Sequence, residues 1–275
     1  MKIAVCVSGQ TRRHNFYKDK WLEDLNELFG PNNCDLYGHT WRGQPAPHYM
    51  NLFKGYTCDD QDMIKTWVDK NPFQRMYHNQ AWLDNPEYRD MMKDGRWYEH
   101  ALDATVRAYG QYWSALLCFK QIEQDYDIIV RYRWDIGINK TNLNDVRLAI
   151  TNFKKAQKQG TESIPGEIRK DIDPLIPADV LVSTPHRSDY IPDMFFVSNN
   201  KILKCNDHPI AYWMDRMMKL QYPDKPVAHI GWATLLKALE LKTVSAMPTI
   251  HYDLDDCRKN SENASGNNYF PDNEF

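Results

Sequence analysis

Short apolar runs that end in polar residues recur along the first half of the chain. Residues 2–7 and 35–41 have this pattern, and residues 128–130 form an uninterrupted β-branched run that charged positions follow. Strands that are buried on both faces of a parallel sheet are apolar in this way. The pattern therefore predicts two early strands and a third strand in the middle of the chain.

Apolar residues between these runs recur with the period of a helix. Residues 16–29 predict an amphipathic helix that ends at Gly30 and Pro31, and residues 101–124 predict the most strongly periodic helix of the chain. A strand, a helix and a second strand in this order predict a right-handed βαβ unit with parallel strands.

The second half of the chain contains weaker versions of the same patterns. They predict helices at 142–158 and 231–240, strands at 180–183, 194–198 and 243–251, and helical structure at 200–219 that Pro209 splits. The polar segment 159–176 predicts a loop that closes over a ligand. Together the elements predict an α/β fold, with a mixed, mostly parallel central sheet flanked by helices.

Residues 42–100 interrupt this rhythm. They are rich in aromatic, amide and histidine side chains and contain several prolines, and they include a short helix predicted at 59–70 with Asp59 or Asp60 at its N-cap. We interpret the region as an insertion that lines a cleft within a single domain of residues 1–257. The tail at 258–275 is polar, and we expect it to be loosely ordered.

Composition and charge exclude several classes of protein. Hydrophobic residues make up 42% of the 275 residues, and no apolar run approaches the about 20 residues that cross a bilayer. The apolar start is too short for a signal peptide, so the sequence predicts a cytoplasmic protein without a membrane span, in the host cytoplasm if the chain is viral. The net charge of −3 is not segregated, and six cysteines are scattered without a Cys-x-x-Cys pair. The even charge distribution argues against a large basic surface for nucleic acid. The cysteine spacing argues against a zinc ribbon and a disulfide scaffold.

Charged residues follow the mid-chain strand in an unusual pattern. Arg131, Arg133 and Asp135 alternate, which places them on one face. Arginine and aspartate are rarely buried unless they are paired, and the carboxyl ends of strands are where α/β sheets bind ligands. We expect the three side chains to point into a polar cleft, and the alternative is a structural Arg–Asp pair at the end of a strand.

A second candidate region is the turn after the first strand. Gly9 allows a ligand to approach the backbone, and Arg12 and Arg13 carry the positive charge that neutralises phosphate. His39 and Trp41, at the end of the second strand, are expected at the same edge. The alternatives are an ordinary exposed loop and a histidine with a purely structural role.

Several segments, in order, resemble a group of bacterial and viral nucleotide-sugar glycosyltransferases with an Arg-x-Arg-x-Asp strand motif. The segments are Lys2–Arg12, Asp35–Trp41, Gly110–Ser114, Tyr126–Asp135 and Asp193–Asn199. The resemblance covers most of the chain except residues 42–100 and the tail. It implies a GT-A-like fold and a nucleotide diphosphate sugar donor, with a UDP-sugar favoured. It also implies an acceptor hydroxyl on a glycan or on a modified viral nucleobase.

The resemblance also implies residue roles. Members of the GT-A fold usually hold Mn²⁺ or Mg²⁺ with an Asp-x-Asp pair, but here Arg133 occupies the first position of that pair. Either Asp135 holds the metal together with His251 or Asp253, or the two arginines replace it and stabilise the leaving diphosphate. Asp135, Asp193 and Arg133 are then the catalytic candidates. The donor-binding candidates are Ser8, Gly9, Gln10, Arg12, Arg13, His39, Trp41, Gln111 and Arg131.

Three other functions remain open from the sequence. The chain is compatible with a phage DNA glycosyltransferase that acts on hydroxymethylated cytosine, for which Lys54, Lys65 and neighbouring basic residues of the insertion would line a groove. It is also compatible with a nucleotide-sugar hydrolase or a non-catalytic nucleotide-sugar binding protein. A lectin-like structural protein would leave the Arg-x-Arg-x-Asp cluster without a purpose.

Overall fold

The structure is a computed structural model of the full chain. It describes residues 2–9, 20–43, 50–70, 96–134, 136–138, 140–159, 178–183, 195–220 and 228–247.

The described residues form an α/β fold around a seven-stranded sheet. The strands are β1 (Ile3–Ser8), β2 (Cys34–Trp41), β3 (Phe53–Asp59), β4 (Ile128–Arg133), β5 (Val180–Ser183), β6 (Phe195–Ser198) and β7 (Thr243–Met247). Their order across the sheet is β3-β2-β1-β4-β6-β5-β7. All the pairings are parallel except those of β6, which runs antiparallel to β4 and to β5. The sheet is therefore mixed and mostly parallel, as the sequence predicts.

Helices cover both faces of the sheet. They are α1 (Lys20–Phe29), α2 (Asp62–Lys70), α3 (Arg96–Phe119), α4 (Leu143–Gln159), α5 (Ile210–Leu220) and α6 (Ala228–Ala238). One apolar core joins α2, α3, α5 and α6 to the face of the sheet that carries Ala4 and Cys6. The other joins α1 and α4 to the face that carries Val5 and Val7. Because successive side chains of a strand point to opposite faces, β1 contributes to both cores and is apolar throughout.

Several predicted elements are confirmed with small changes in their ends. Pro209 separates a 3-10 helix, Asn200–Asp207, from α5, as the sequence predicts. Helix α3 begins earlier than predicted and ends at Phe119, and α6 begins at Ala228, so that His229 lies inside the helix and not before it.

The sequence analysis does not predict strand β3. Residues 53–59 lie within the region interpreted as an insertion, but they pair with β2 as the edge of the main sheet. Asp59 is the last residue of this strand and is not the N-cap of the helix that follows. Asp60 instead accepts a hydrogen bond from the amide of Asp62 at the start of α2. This part of residues 42–100 therefore belongs to the central fold.

Some predictions fall outside the described residues. These are the proposed closing loop beyond residue 159, the end of the last strand at 248–251, the tail and most of the remaining insertion. Within the residues that are described, no helix is long and apolar enough to cross a membrane. The cysteines there have free thiols, and those of Cys6, Cys118 and Cys205 are buried.

Two helical glycines allow a matched test of packing. A Cβ on Gly110 would lie 3.6 Å from Ile64 and 3.7 Å from Trp41, which is ordinary contact, whereas a Cβ on Gly231 would lie 2.1 Å from the hydroxyl of Tyr112. We expect Gly110→Ala to stabilise the protein by about 1 kcal/mol, because alanine favours the helix. We expect Gly231→Ala to destabilise it by about 1–3 kcal/mol through overpacking.

Urea unfolding followed by circular dichroism measures both effects. Equal stability changes in the two variants would contradict the packing of α6 against α3.

Candidate functional site

The candidate site lies between β1 and β4, where successive strands of the chain stop being added to one side of the sheet and begin to be added to the other. Strands β1 and β4 are parallel neighbours, and the chain continues from β1 to β2 on one side while β4 begins the other side. The last residue pair between them is Ser8 with Arg133, and Ser8 also pairs with His39 of β2. A crevice outside the carboxyl ends of strands at such a switch point is the usual ligand site of an open α/β sheet.

Ser8 and Gly9 lie at the carboxyl end of β1, at this switch point. The hydroxyl of Ser8 is buried and has no hydrogen-bond partner. Gly9 has a φ of 114°, and no atom lies within 4 Å of the position that a Cβ would take. A side chain at this φ would be strained, and Gly9 itself is buried, with open space only where a side chain would project.

Gln111 lies on the same side of the crevice. In α3, the Cys118 thiol donates to the carbonyl of Tyr37 in β2, while Ser114 contacts Gly9 at the end of β1. The helix thus runs opposite to the strands, and Gln111, almost one turn before Ser114, lies beyond their carboxyl ends. It lies in the second half of the helix. Its buried Oε1 has no hydrogen-bond partner.

The two arginines of β4 have different surroundings. Arg133 is half-buried at the end of the strand, beside Ser8. Arg131, which we expected to point into a polar cleft, is completely buried. Its guanidinium carbon lies 5.1 Å from the ring centroid of Trp232 in α6, a cation–π distance. Of the two, only Arg133 is partly exposed at the crevice.

A row of hydrogen bonds crosses from the edge strand to the first turn. Asp59 Oδ2 lies 3.2 Å from His39 Nε2, and His39 Nδ1 lies 2.6 Å from Ser114 Oγ. The amide of Gly9 donates to the same Ser114 oxygen at 2.9 Å. The ring of Trp41 packs edge-on against the His39 ring with centroids 4.7 Å apart. The row connects β3, β2, α3 and the end of β1.

Burial and charge set the protonation of this row. Burial lowers the pKa of His39, and the hydrogen bond and charge of Asp59 oppose this only in part. The hydrogen bond from His39 is the main cause that lowers the pKa of Asp59. A neutral histidine beside an ionised carboxylate carries its proton on Nε2, so Nδ1 accepts from the Ser114 hydroxyl.

The same residue types occur in hydrolase triads, but the arrangement here differs. In a Ser-His-Asp triad the carboxylate binds Nδ1 and the serine faces Nε2. Here the carboxylate of Asp59 is on Nε2 and the serine is on Nδ1. Ser114 is also completely buried. The row therefore fixes the structure of the site and does not supply a nucleophile.

A buried carboxylate supports the segment after β4. Asp24 of α1 is completely buried, and its Oδ2 accepts hydrogen bonds from the Tyr132 hydroxyl at 2.7 Å and from the Ile138 amide at 2.6 Å. The Trp134 indole donates to the carbonyl of His39 at 2.8 Å. These bonds hold the backbone on both sides of position 135.

Comparison with known proteins finds no match among family models, curated proteins or solved structures. The residues of the site therefore carry the functional argument by themselves.

The remaining site candidates lie outside the described residues. These are Gln10, Arg12, Arg13, Asp135, Asp193 and His251. Within the described part of the chain, no group of three histidine, cysteine or carboxylate side chains can hold a metal ion. The metal candidates, Asp135, His251 and Asp253, are not among these residues.

Sequence reasoning identified some of this site and missed other parts. Ser8, Gly9 and His39 were candidates, and the structure brings them together at the ends of β1 and β2. Sequence reasoning did not select Asp59, because it assigned this residue to a helix cap. It also did not select Thr40, whose hydroxyl lies 3.5 Å from the carbonyl of Gly9. The aspartate at the end of an edge strand would have been found only if β3 had been predicted.

A polar depression of about 330 Å³ occurs at the opposite end of the sheet. Its lining residues are Tyr126, Asp127, Lys154, Gln157, Asn199, Asn200 and Lys201. Lys201 forms an ion pair with Asp179, and Asn199 hydrogen-bonds to Gln157. The depression is a useful control position for ligand-binding experiments.

The pKa of His39 predicts acid sensitivity. Because the folded pKa is lowered from 6.5, the unfolded chain takes up a proton before the folded chain does as the pH falls. Stability from this group is complete above pH 6.5 and declines below it, with a slope of at most about 1.4 kcal/mol per pH unit. The pKa of Asp59 is lowered from 3.8, so its contribution is lost only at lower pH.

Urea unfolding between about pH 7 and about pH 5 measures this decline. We expect His39→Gln to reduce the slope. An identical slope in wild type and His39→Gln would contradict the prediction.

Proposed function

We propose that the protein is a glycosyltransferase that moves a sugar from a nucleotide diphosphate sugar, with a UDP-sugar favoured, to an acceptor hydroxyl. The observation that carries the proposal is the buried, unpartnered hydroxyl of Ser8 at the switch point, with a second unpartnered atom, Gln111 Oε1, in the part of α3 that lies beyond the strand ends. Buried polar groups are nearly always hydrogen-bonded, so an unpartnered hydroxyl at the ligand edge of the sheet favours a polar ligand.

The chemistry of the crevice fits a donor diphosphate. A serine hydroxyl donates to phosphate oxygens, and an amide oxygen accepts from a ribose or sugar hydroxyl. The guanidinium of Arg133 presents donors in a planar fork that matches phosphate geometry. We assign Arg133 to the diphosphate, the Ser8 hydroxyl to a phosphate oxygen, and Gln111 to a hydroxyl of the donor.

The reaction then needs charge stabilisation on the leaving group. The bond from the sugar carbon to the diphosphate oxygen breaks, and a bond to the acceptor oxygen forms. The diphosphate leaves with the electron pair, and the acceptor proton passes to a carboxylate, for which Asp193 is our candidate. Arg133 stabilises the charge that develops on the diphosphate.

The fold supports the finer proposal of a GT-A-like enzyme. A GT-A-like fold is compatible with the mixed, mostly parallel sheet, in which β4, the strand of the Arg-x-Arg motif, pairs with β1. For the acceptor we propose a glycan or a modified nucleobase hydroxyl. A DNA acceptor would need a basic groove. Two of the lysines proposed for it, Lys54 and Lys65, already form exposed ion pairs with Asp35 and Asp62, which reduces the positive charge available to DNA.

A thermal-shift panel tests donor binding. The purified protein is heated with each common nucleoside diphosphate and nucleotide sugar, with and without Mn²⁺. A ligand at 100 times its Kd adds about 2.7 kcal/mol of stability, which raises the Tm by about 5 °C or more for a chain of this size. We expect one nucleotide to give this shift. A panel without any shift would contradict the proposal.

Product analysis separates transfer from hydrolysis. The donor found in the panel is incubated with the protein and with oligosaccharide or hydroxymethylated DNA acceptors, and UDP release, free sugar and glycosylated acceptor are measured. A transferase gives acceptor-dependent UDP release. Acceptor-independent release of free sugar would identify a hydrolase instead, and donor binding without turnover would identify a binding protein.

A further inference from the structure

Ser114 is placed to hold the first turn. It lies in the second half of α3, where a buried serine commonly bonds back to a carbonyl of its own helix. Here the Oγ instead contacts two other elements, the Gly9 amide at 2.9 Å and His39 Nδ1 at 2.6 Å. Because Ser114 is completely buried, this oxygen is shielded from water that would compete for either bond.

The hydrogen bonds of the row all point in one direction. The Gly9 amide donates to Ser114, the Ser114 hydroxyl donates to His39 Nδ1, and His39 Nε2 donates to Asp59. In the row, Ser114 and His39 each accept one hydrogen bond and donate the next. Removing a member therefore frees its neighbour to reorient, and this changes the bond that Ser114 accepts from the Gly9 amide. On the other side, the carbonyl of Gly9 lies 3.5 Å from the Thr40 hydroxyl.

Gly9 therefore has its amide and its carbonyl fixed by buried side chains from two different elements. With a φ of 114°, the peptide at Gly9 has a conformation that few other residues adopt. A glycine without such contacts would exchange between many conformations. The contacts select one of them.

We propose that Ser114, His39 and Asp59 are positioning residues that hold the Gly9 turn in the conformation that accepts the donor diphosphate. The inference rests on the proposed function for the identity of the ligand. It adds Ser114 and Asp59 to the site and gives His39 an indirect role, so that all three control donor binding through the backbone of Gly9.

The test uses Ser114→Ala in the full-length protein. Alanine removes only the oxygen and favours the helix, so the variant is expected to fold. The matched control is Ser198→Ala, which removes another fully buried hydroxyl, bonded to the carbonyls of Asp179 and Asn199. Ser198 pairs with Ile129 near the start of β4, about 13 Å along the strand from Arg133.

The first measurement needs no ligand. Nitrogen-15 labelling of the 12 glycines allows the exchange of the Gly9 amide hydrogen with solvent to be followed by NMR. We expect Ser114→Ala to accelerate this exchange about tenfold, which corresponds to about 1.4 kcal/mol. The amides of Gly38 and Gly55, within β2 and β3, report any general loss of stability. Unchanged Gly9 exchange in Ser114→Ala would overturn the proposal.

The second measurement is the affinity for UDP by calorimetry. We expect Ser114→Ala to weaken UDP binding about tenfold, and Ser198→Ala to leave it unchanged. Faster Gly9 exchange with unchanged UDP affinity would overturn the positioning role. If UDP and the other nucleoside diphosphates fail to bind even the wild type, the proposal falls together with the proposed function. Gly9 exchange then still shows whether the hydrogen-bonded row holds the turn.

Discussion

Arg133→Ala is expected to abolish sugar transfer while the protein stays folded. The side chain is half-buried at the carboxyl end of β4, beside the unpartnered hydroxyl of Ser8, so its loss removes charge from the proposed diphosphate site without opening the core. Loss of one group that stabilises developing charge lowers kcat by about 10² to 10³, or about 2.7–4 kcal/mol. UDP release in the presence of donor and acceptor measures the effect.

Two controls separate the loss of positive charge at position 133 from the loss of its planar geometry and from unfolding. Arg133→Lys keeps the positive charge but loses the planar fork, and we expect it to restore only part of the activity. Thermal unfolding of Arg133→Ala should give a Tm close to that of wild type. Wild-type turnover in Arg133→Ala would contradict the assignment of this arginine to the leaving group.

Arg131→Ala is expected to have the opposite phenotype, a large loss of stability. The side chain is completely buried, and its guanidinium lies over Trp232. The Trp232 ring also packs against Phe196 and Tyr112, so it joins β4, β6, α3 and α6. Truncation removes the cation–π contact, leaves a cavity and disrupts a buried charged group, which together cost about 3–5 kcal/mol.

Urea unfolding of Arg131→Ala measures this loss. Arg131→Met refills most of the volume with an unbranched apolar chain, and we expect it to recover at least part of the stability. If Arg131→Ala instead unfolds like wild type and loses only donor binding, Arg131 contacts the donor, as the sequence analysis assigned it. The two arginines of one motif thus have distinct, separately testable roles.

The strands at the centre of the sheet could be predicted from local sequence because they are apolar on both faces. β1 is buried at every position from Ile3 to Ser8, and β4 is buried up to Tyr132. β3 could not be predicted in this way, since it is an edge strand of partly exposed residues that includes Gly55. Its conformation comes from pairing with β2, which is a tertiary interaction and leaves no local periodicity.

The same distinction applies to the site. Residues at the ends of β1 and β2 were identified because polar side chains after apolar runs indicate the ligand edge of an α/β sheet. The contact between Asp59 and His39 depends on the register of β3 against β2, and was therefore missed. The alternation rule correctly gives Arg131 and Arg133 one face, but burial depends on where α6 packs, and the strand sequence does not contain that information.

Calorimetric titration of UDP tests the central claim most directly, namely that the crevice between the ends of β1 and β4 binds a nucleoside diphosphate. The titration is made on wild type, on Arg133→Ala at the crevice and on Lys154→Ala at the polar depression of the opposite end. We predict that Arg133→Ala weakens binding by about tenfold or more, while Lys154→Ala binds as tightly as wild type. Weakened binding in Lys154→Ala with unchanged binding in Arg133→Ala would contradict the account.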